Sequence, residues 1–249
     1  MKIALIGDAH GDLPTLARVA EAARAAGADA AIQLGDLGFC EALLGAGVAL
    51  PRLALPVHAL CGNHEDHTFL AESRTNGLMR RWAENGLVYQ ARGSIATFDG
   101  IRVGFLGGAM HIDRPQEAAN RTSPAEIREA ITRFSVARPR LIATHSCPAG
   151  IGIGMRGNDA LAQQLHIHVL RAGIDPGPPD DCGEAGLREL WEALPIRPAC
   201  WVFGHFHYFH EARVGGTRFM SCAPLSETGM ILLWDSRSGE IEAHAPQQP

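Results

Sequence analysis

The chain has 249 residues, 46% of them hydrophobic and 20% charged, with a formal net charge of −5. That length supports one large domain with a substantial core, and the acidic balance, with no Lys/Arg block, disfavours an extended nucleic-acid footprint. No apolar run approaches bilayer length and the N-terminus lacks a signal peptide's apolar stretch, so a cytoplasmic protein is expected, with its six cysteines, none in a CxxC pair, as reduced thiols.

Segment 2–6 is an apolar run ending at Gly7 and reads as a buried strand. Leu13 to Ala26 follows as a helix, with Pro14 early, Asp12 as N-cap and Gly27 just after. Residues 30–34 form the next strand, 40–49 read as helix, and 57–60 is a third strand ending at Cys61-Gly62-Asn63-His64. This alternation predicts a mainly parallel sheet. Segments 94–98 and 102–106 flank Asp99-Gly100, a hairpin signal. Ser123 to Phe134 reads as a helix with a capping box closed by Glu126. Residues 141–144 form a strand that delivers His145. Segment 146–183 is rich in Gly, Pro and Asp, with a helix expected near 159–172, and 184–193 is a further helix. From Ala199 the chain reads as strand and turn. Two mixed sheets packed face to face with helices outside would bury both strand sets, giving an α/β fold in four layers, α-β-β-α.

Polar residues gather at the C-terminal ends of the strands: Asp8 and His10, Asp36, Asn63 and His64, His145, and His205 with His207. In open α/β sheets ligands bind at such ends, so these side chains are expected to converge on one crevice. Asp8 with His10 and His205 with His207 are i, i+2 pairs, which project to one side of an extended backbone. Carboxylate, imidazole and amide oxygens without thiolate suit Mn, Fe, Zn or Ni. Each motif alone is weak, and a lone strand-end His is more often a surface or core residue than a ligand.

The ordered set GDAHG, GDLG, GNHED, THS and GHFH resembles the calcineurin-like metallophosphoesterases, whose pattern is D-x-H, G-D, G-N-H-[DE], H, G-H-x-H. The resemblance runs from Asp8 to His207 and implies one such domain over 1–249, with 146–183 as a substrate-side insertion or lid. It implies Asp8, His10 and His207 as ligands of one metal, Asn63, His145 and His205 as ligands of a second, and Asp36 as their bridge. The metals it implies are two divalent or mixed-valence transition ions, Mn favoured. His64 matches the family's non-ligand His, which contacts the phosphoryl group or protonates the leaving oxygen. The implied reaction is attack on phosphorus by a hydroxide bridging cations about 3.5–4 Å apart.

His111 and Arg114 are candidate substrate contacts on a strand-end loop. His67 reads as a solvated loop residue, His166 and His168 as surface positions, and Asp180-Asp181 as solvated loop. The G-D-x-x-D-R-G continuation of the family's protein phosphatases is replaced by GDLGFCEALL, so their phosphate clamp is missing. GNHED resembles the small phosphodiesterase branch. A small phosphodiester or phosphomonoester is therefore expected as substrate, a nucleotide or cyclic nucleotide favoured. The alternatives are a catalytically silent metal-bound scaffold, whose cue of broken ligands is absent, and a nuclease, which the acidic charge opposes.

Overall fold

The structure, a computed structural model, describes residues 1–110, 118–163, 173, 178–225 and 231–244. Twelve strands are defined among them: β1 (Lys2–Ile6), β2 (Ala30–Gln33), β3 (Val57–Ala59), β4 (Leu87–Tyr89), β5 (Ser94–Phe98), β6 (Ile101–Leu106), β7 (Leu141–Thr144), β8 (Cys200–Phe203), β9 (His210–Val214), β10 (Thr217–Ser221), β11 (Ile231–Asp235) and β12 (Ile241–His244). They form two six-stranded sheets, in the orders β12-β11-β1-β2-β3-β4 and β5-β6-β7-β8-β10-β9. Strands β1 to β4 run parallel, and β11 and β12 extend that sheet in antiparallel fashion. In the second sheet β6, β7, β8 and β10 are parallel, flanked by antiparallel β5 and β9.

The period-2 geometry of a strand divides its side chains between two cores. In β1, Ile3 and Leu5 enter the space between the sheets with Ile32, Phe105, Val202 and Trp234. Ala4 and Ile6 face the other way, onto α1 (Leu13–Ala25). That outer core also holds α3 (His67–Ser73) and α4 (Leu78–Glu84), through Phe69, Leu70 and Trp82. On the far side, α5 (Pro124–Ala137) and α6 (Ala185–Ala193) cover Ile142, Trp201 and Phe203 with Phe134, Leu190 and Trp191. Burial on both faces explains why β1, β2, β7 and β8 read as mainly apolar runs rather than alternating ones. The order is the expected four layers, α-β-β-α.

The caps follow the sequence. Asp12 accepts from the Thr15 N–H at 3.0 Å, and Ser123 and Glu126 form a reciprocal capping box. Four elements depart from expectation. The helix over 40–49 is reduced to α2 (Glu41–Leu44), because Gly45 turns to extended backbone at ψ 168° and Gly47 adds a second weak helix former. Helices α3 and α4 and strand β4 were not expected. The two helices span seven residues each and are separated around Gly77, which takes φ 86°, so neither shows a sustained period. Residues 159–163 are helical, and the remainder of the 159–172 expectation lies outside the described residues. All six cysteines are free. Among the described residues no helix is long and apolar enough to cross a membrane.

Candidate metal centre

Every candidate ligand leaves the C-terminal end of a parallel strand: Asp8 and His10 after β1, Asp36 after β2, Asn63 after β3, His145 after β7, and His205 and His207 after β8. The loops are tied to each other. The Ala9 and His10 N–H groups both donate to the Asp36 carbonyl, at 3.1 and 2.7 Å, and the Gly204 N–H donates to the His145 carbonyl at 3.0 Å.

The residues converge as predicted, but by a different route. His10, Asp36, His205 and His207 have φ of 46°, 51°, 68° and 59°. Non-glycine residues in this left-handed region carry about 1 to 3 kcal/mol of strain each, which persists only where the surrounding fold over-determines it. The extended i, i+2 geometry expected for the two pairs is therefore replaced by left-handed turns. One consequence is that His205 and His207 part company. The His207 ring meets His10, at 4.9 Å between centroids, whereas the His205 ring meets His145, also at 4.9 Å. The four rings thus sit in two pairs, His10 with His207 and His145 with His205.

The glycines before the ligands act mainly by close approach. A Cβ on Gly62 would strike the Asp36 carboxylate, and one on Gly204 would strike that of Asp8.

Among the described residues two groups of donor atoms result, each with its members within 4.8 Å of one another: Asp8, His10 and His207, and Asp8, Asp36 and His145. In the first, His10 Nε2 and His207 Nε2 are 2.9 Å apart, with Asp8 Oδ2 3.1 Å from His207 and 3.8 Å from His10. In the second, His145 Nε2 lies 2.9 Å from Asn63 Oδ1 and 3.2 Å from Asp36 Oδ2. A first-row cation about 2.1 Å from each ligand sets neighbouring ligands about 3.0–3.4 Å apart. The donor set and its spacing thus fit metal ions. His145 Nδ1 faces the Leu34 carbonyl at 2.7 Å, which directs Nε2 into the site.

The charges are strongly coupled. Although burial opposes it, His145 and His64 hold the Asp36 carboxyl well below the usual carboxylate range. Burial likewise opposes the shift at His145, but Asp36 and Asp8 raise its pKa to about 10. Burial, helped by His145, lowers that of His205 to about 3. His207 is raised by its hydrogen bond to Asp8, and His10 is lowered by burial.

His64 is exposed at the mouth, its ring 5.6 Å from that of His10, and its N–H donates to Asp36 Oδ1 at 2.9 Å. It borders a cleft of about 500 Å³ lined also by Cys40, Asp66, His67, Thr68 and Asn120. His67 is accordingly not a solvated loop residue. It opens α3 under the N-cap Asp66, is partly buried, and has its pKa lowered by burial to about 4. Asp181 does not simply face solvent either: it accepts from the Gly150 and Gly183 N–H groups, at 2.9 and 3.2 Å. His111 and Arg114, and His166 and His168, lie outside the described residues.

The model of the calcineurin-like phosphoesterases matches residues 1–209. The chain belongs to this family. As a member it is a metal-dependent phosphoester hydrolase. No curated protein matches the chain. Solved structures share the fold at low identity. A Thermus thermophilus protein has a TM-score of 0.58 at 16% identity, with 99% of each chain covered. A dimetal phosphatase from Danio rerio has 0.56 at 13%, again covering 99% of each. A putative 5′-nucleotidase from Staphylococcus aureus has 0.53 at 13%, covering 98% of this chain and 52% of its own.

Sequence reasoning gave no role to one residue that the structure ties to these loops. Glu65, the fourth residue of GNHED, is only 7% exposed, and its carboxylate accepts four backbone N–H groups. Burial and Asp36 push its pKa up to about 7, against the pull of those donors. An acidic residue directly behind two site residues was the available signal.

Proposed function

We propose that the protein is a dinuclear phosphoesterase that hydrolyses a small phosphodiester or phosphomonoester, with a nucleotide-like diester favoured. The observation that carries this reading is the pair of adjoining donor groups, Asp8 with His10 and His207, and Asp8 with Asp36 and His145. Asp8, His10 and His207 would hold one ion. Asn63, His145 and His205 would hold the other, with Asp36 between them. Asp36 supports a bridging role because it pairs with His145 at 3.2 Å and also acts on the charge of His10. Two bound cations, Mn²⁺ favoured, would neutralise phosphoryl oxygens and acidify a water.

The chain's own residues supply the rest. His64 stands exposed beside His10, where its ring can give a proton to the leaving oxygen. The cleft beside it is wide enough for a nucleoside-sized group, and its imidazole, hydroxyl and amide groups can hydrogen-bond to one. The Asp and Arg of the protein-phosphatase clamp are replaced by Phe39 and Cys40, with Phe39 fully buried, which favours small substrates over phosphoproteins. The dimetal phosphatase neighbour agrees with a two-metal reading in name.

The test is a panel of cyclic nucleotides, dinucleotides, phosphomonoesters and model diesters, each assayed with Mn²⁺. Turnover is expected on diesters above monoesters. A metal-loaded protein that cleaves neither class contradicts the proposal.

A further inference from the structure

Two of the ligand loops are fastened by a single carboxylate. Glu65 Oε1 accepts from the Leu37 N–H at 2.9 Å and the Gly62 N–H at 3.3 Å. Its Oε2 accepts from the Gly38 and Phe39 N–H groups at 3.0 and 2.6 Å. Three of these donors are consecutive and follow Asp36. They point to one side because Asp36 and Gly38 take φ of 51° and 101°, which folds the loop into a concave row of N–H groups. Such a nest attracts an anion. Here the anion comes from within the chain, at the residue next to His64 and two beyond Asn63. The fourth donor, Gly62, belongs to the loop that carries Asn63. Removing the carboxylate would leave three buried N–H groups and the half-buried one of Gly38 without this acceptor, and would unfasten the Asp36 loop from the Asn63 loop.

We propose that Glu65 is a positioning residue, an internal anion that fills the Leu37–Phe39 nest and sets the separation between the Asp36 and Asn63 side chains for metal binding. Its carboxylate touches no reacting group. It acts through the backbone that presents Asp36 and Asn63. The acceptor pattern matters as well as the shape, because all four partners are donors and an amide would turn its own NH₂ toward at least one of them.

The proposal rests on the dinuclear reading above, and its test reads metal binding rather than turnover. Mn²⁺ is titrated calorimetrically into the wild-type chain and into Glu65→Gln and Glu65→Ala, with circular dichroism confirming that each is folded. Both variants should bind Mn²⁺ about ten- to a hundredfold more weakly, the usual consequence of losing a group that orients ligands. Formate, small enough to occupy the emptied nest, should restore much of the affinity of Glu65→Ala while leaving the wild type unchanged. Glu65→Gln that binds Mn²⁺ as tightly as wild type overturns the proposal. So does a loss in Glu65→Ala that formate leaves unchanged, which would assign Glu65 a packing role. Wild-type protein that binds no Mn²⁺ overturns this proposal and the dinuclear reading together.

Discussion

Metal loading at different pH values probes how the His145 site is arranged before an ion arrives. His145 Nδ1 donates to the Leu34 carbonyl at 2.7 Å. Its Nε2 sits 2.9 Å from Asn63 Oδ1 and 3.2 Å from Asp36 Oδ2. A proton on Nε2 is held by both oxygens, and the Asp36 and Asp8 charges outweigh burial to raise the pKa to about 10. That proton occupies the position a cation would take. A metal-binding imidazole must present a bare nitrogen. Removing a proton with a pKa of about 10 at pH 7 costs about 4 kcal/mol, since each unit is worth about 1.4 kcal/mol. The apparent Mn²⁺ affinity should therefore rise about tenfold per pH unit from pH 7 upward. Calorimetry in buffers of different ionisation enthalpy counts the protons directly. About one per chain should come from His145, with a further fraction from His207, which Asp8 also raises. His10 and His205, whose pKa values are lowered, should release none. Mn²⁺ binding with no proton released, or an affinity flat between about pH 7 and 9, would refute this arrangement.

The same proton has a consequence for stability. A histidine raised from 6.5 to about 10 on folding contributes fully below pH 6.5 and loses that contribution as pH rises toward 10. Thermal melts of metal-free protein should show Tm falling across that window, and a Tm that climbs there would count against the Asp36–His145 pair. Asp36→Asn leaves His145 buried without its nearest charge, so the metal-free form should lose about 3 kcal/mol, limited by deprotonation of the ring. It should also weaken both metals, as measured by elemental analysis after dialysis, and two retained ions would remove Asp36 from the bridging position. His64→Ala should lower turnover about a hundredfold or more, the low end of general-acid effects, while metal content stays near that of wild type. A lost metal in that variant would make His64 a ligand.

The strand framework was legible because burial on both sheet faces leaves short apolar runs that end at Gly-polar pairs. That alone located Asp8, Asp36, Asn63, His145 and the His205/His207 pair. The backbone at those residues was not legible: left-handed conformations at His10, Asp36, His205 and His207 depend on loop-to-loop bonds that no local pattern records. Extended-strand spacing predicted convergence correctly and its geometry incorrectly. Helices α3 and α4 escaped notice because two turns are too few to establish a period. Glu65 escaped because its partners are backbone groups, so its place after Asn63-His64 was the one signal it left in the sequence. His67 looked like loop until Asp66 capped the helix that buries it.

The central claim, two ions acting together on a phosphoester, is tested most directly by titrating Mn²⁺ into metal-free protein while following cleavage of bis-p-nitrophenyl phosphate. The rate should rise with added metal and level off at about two equivalents per chain. A plateau at one equivalent, or no cleavage once two ions are bound, would contradict it.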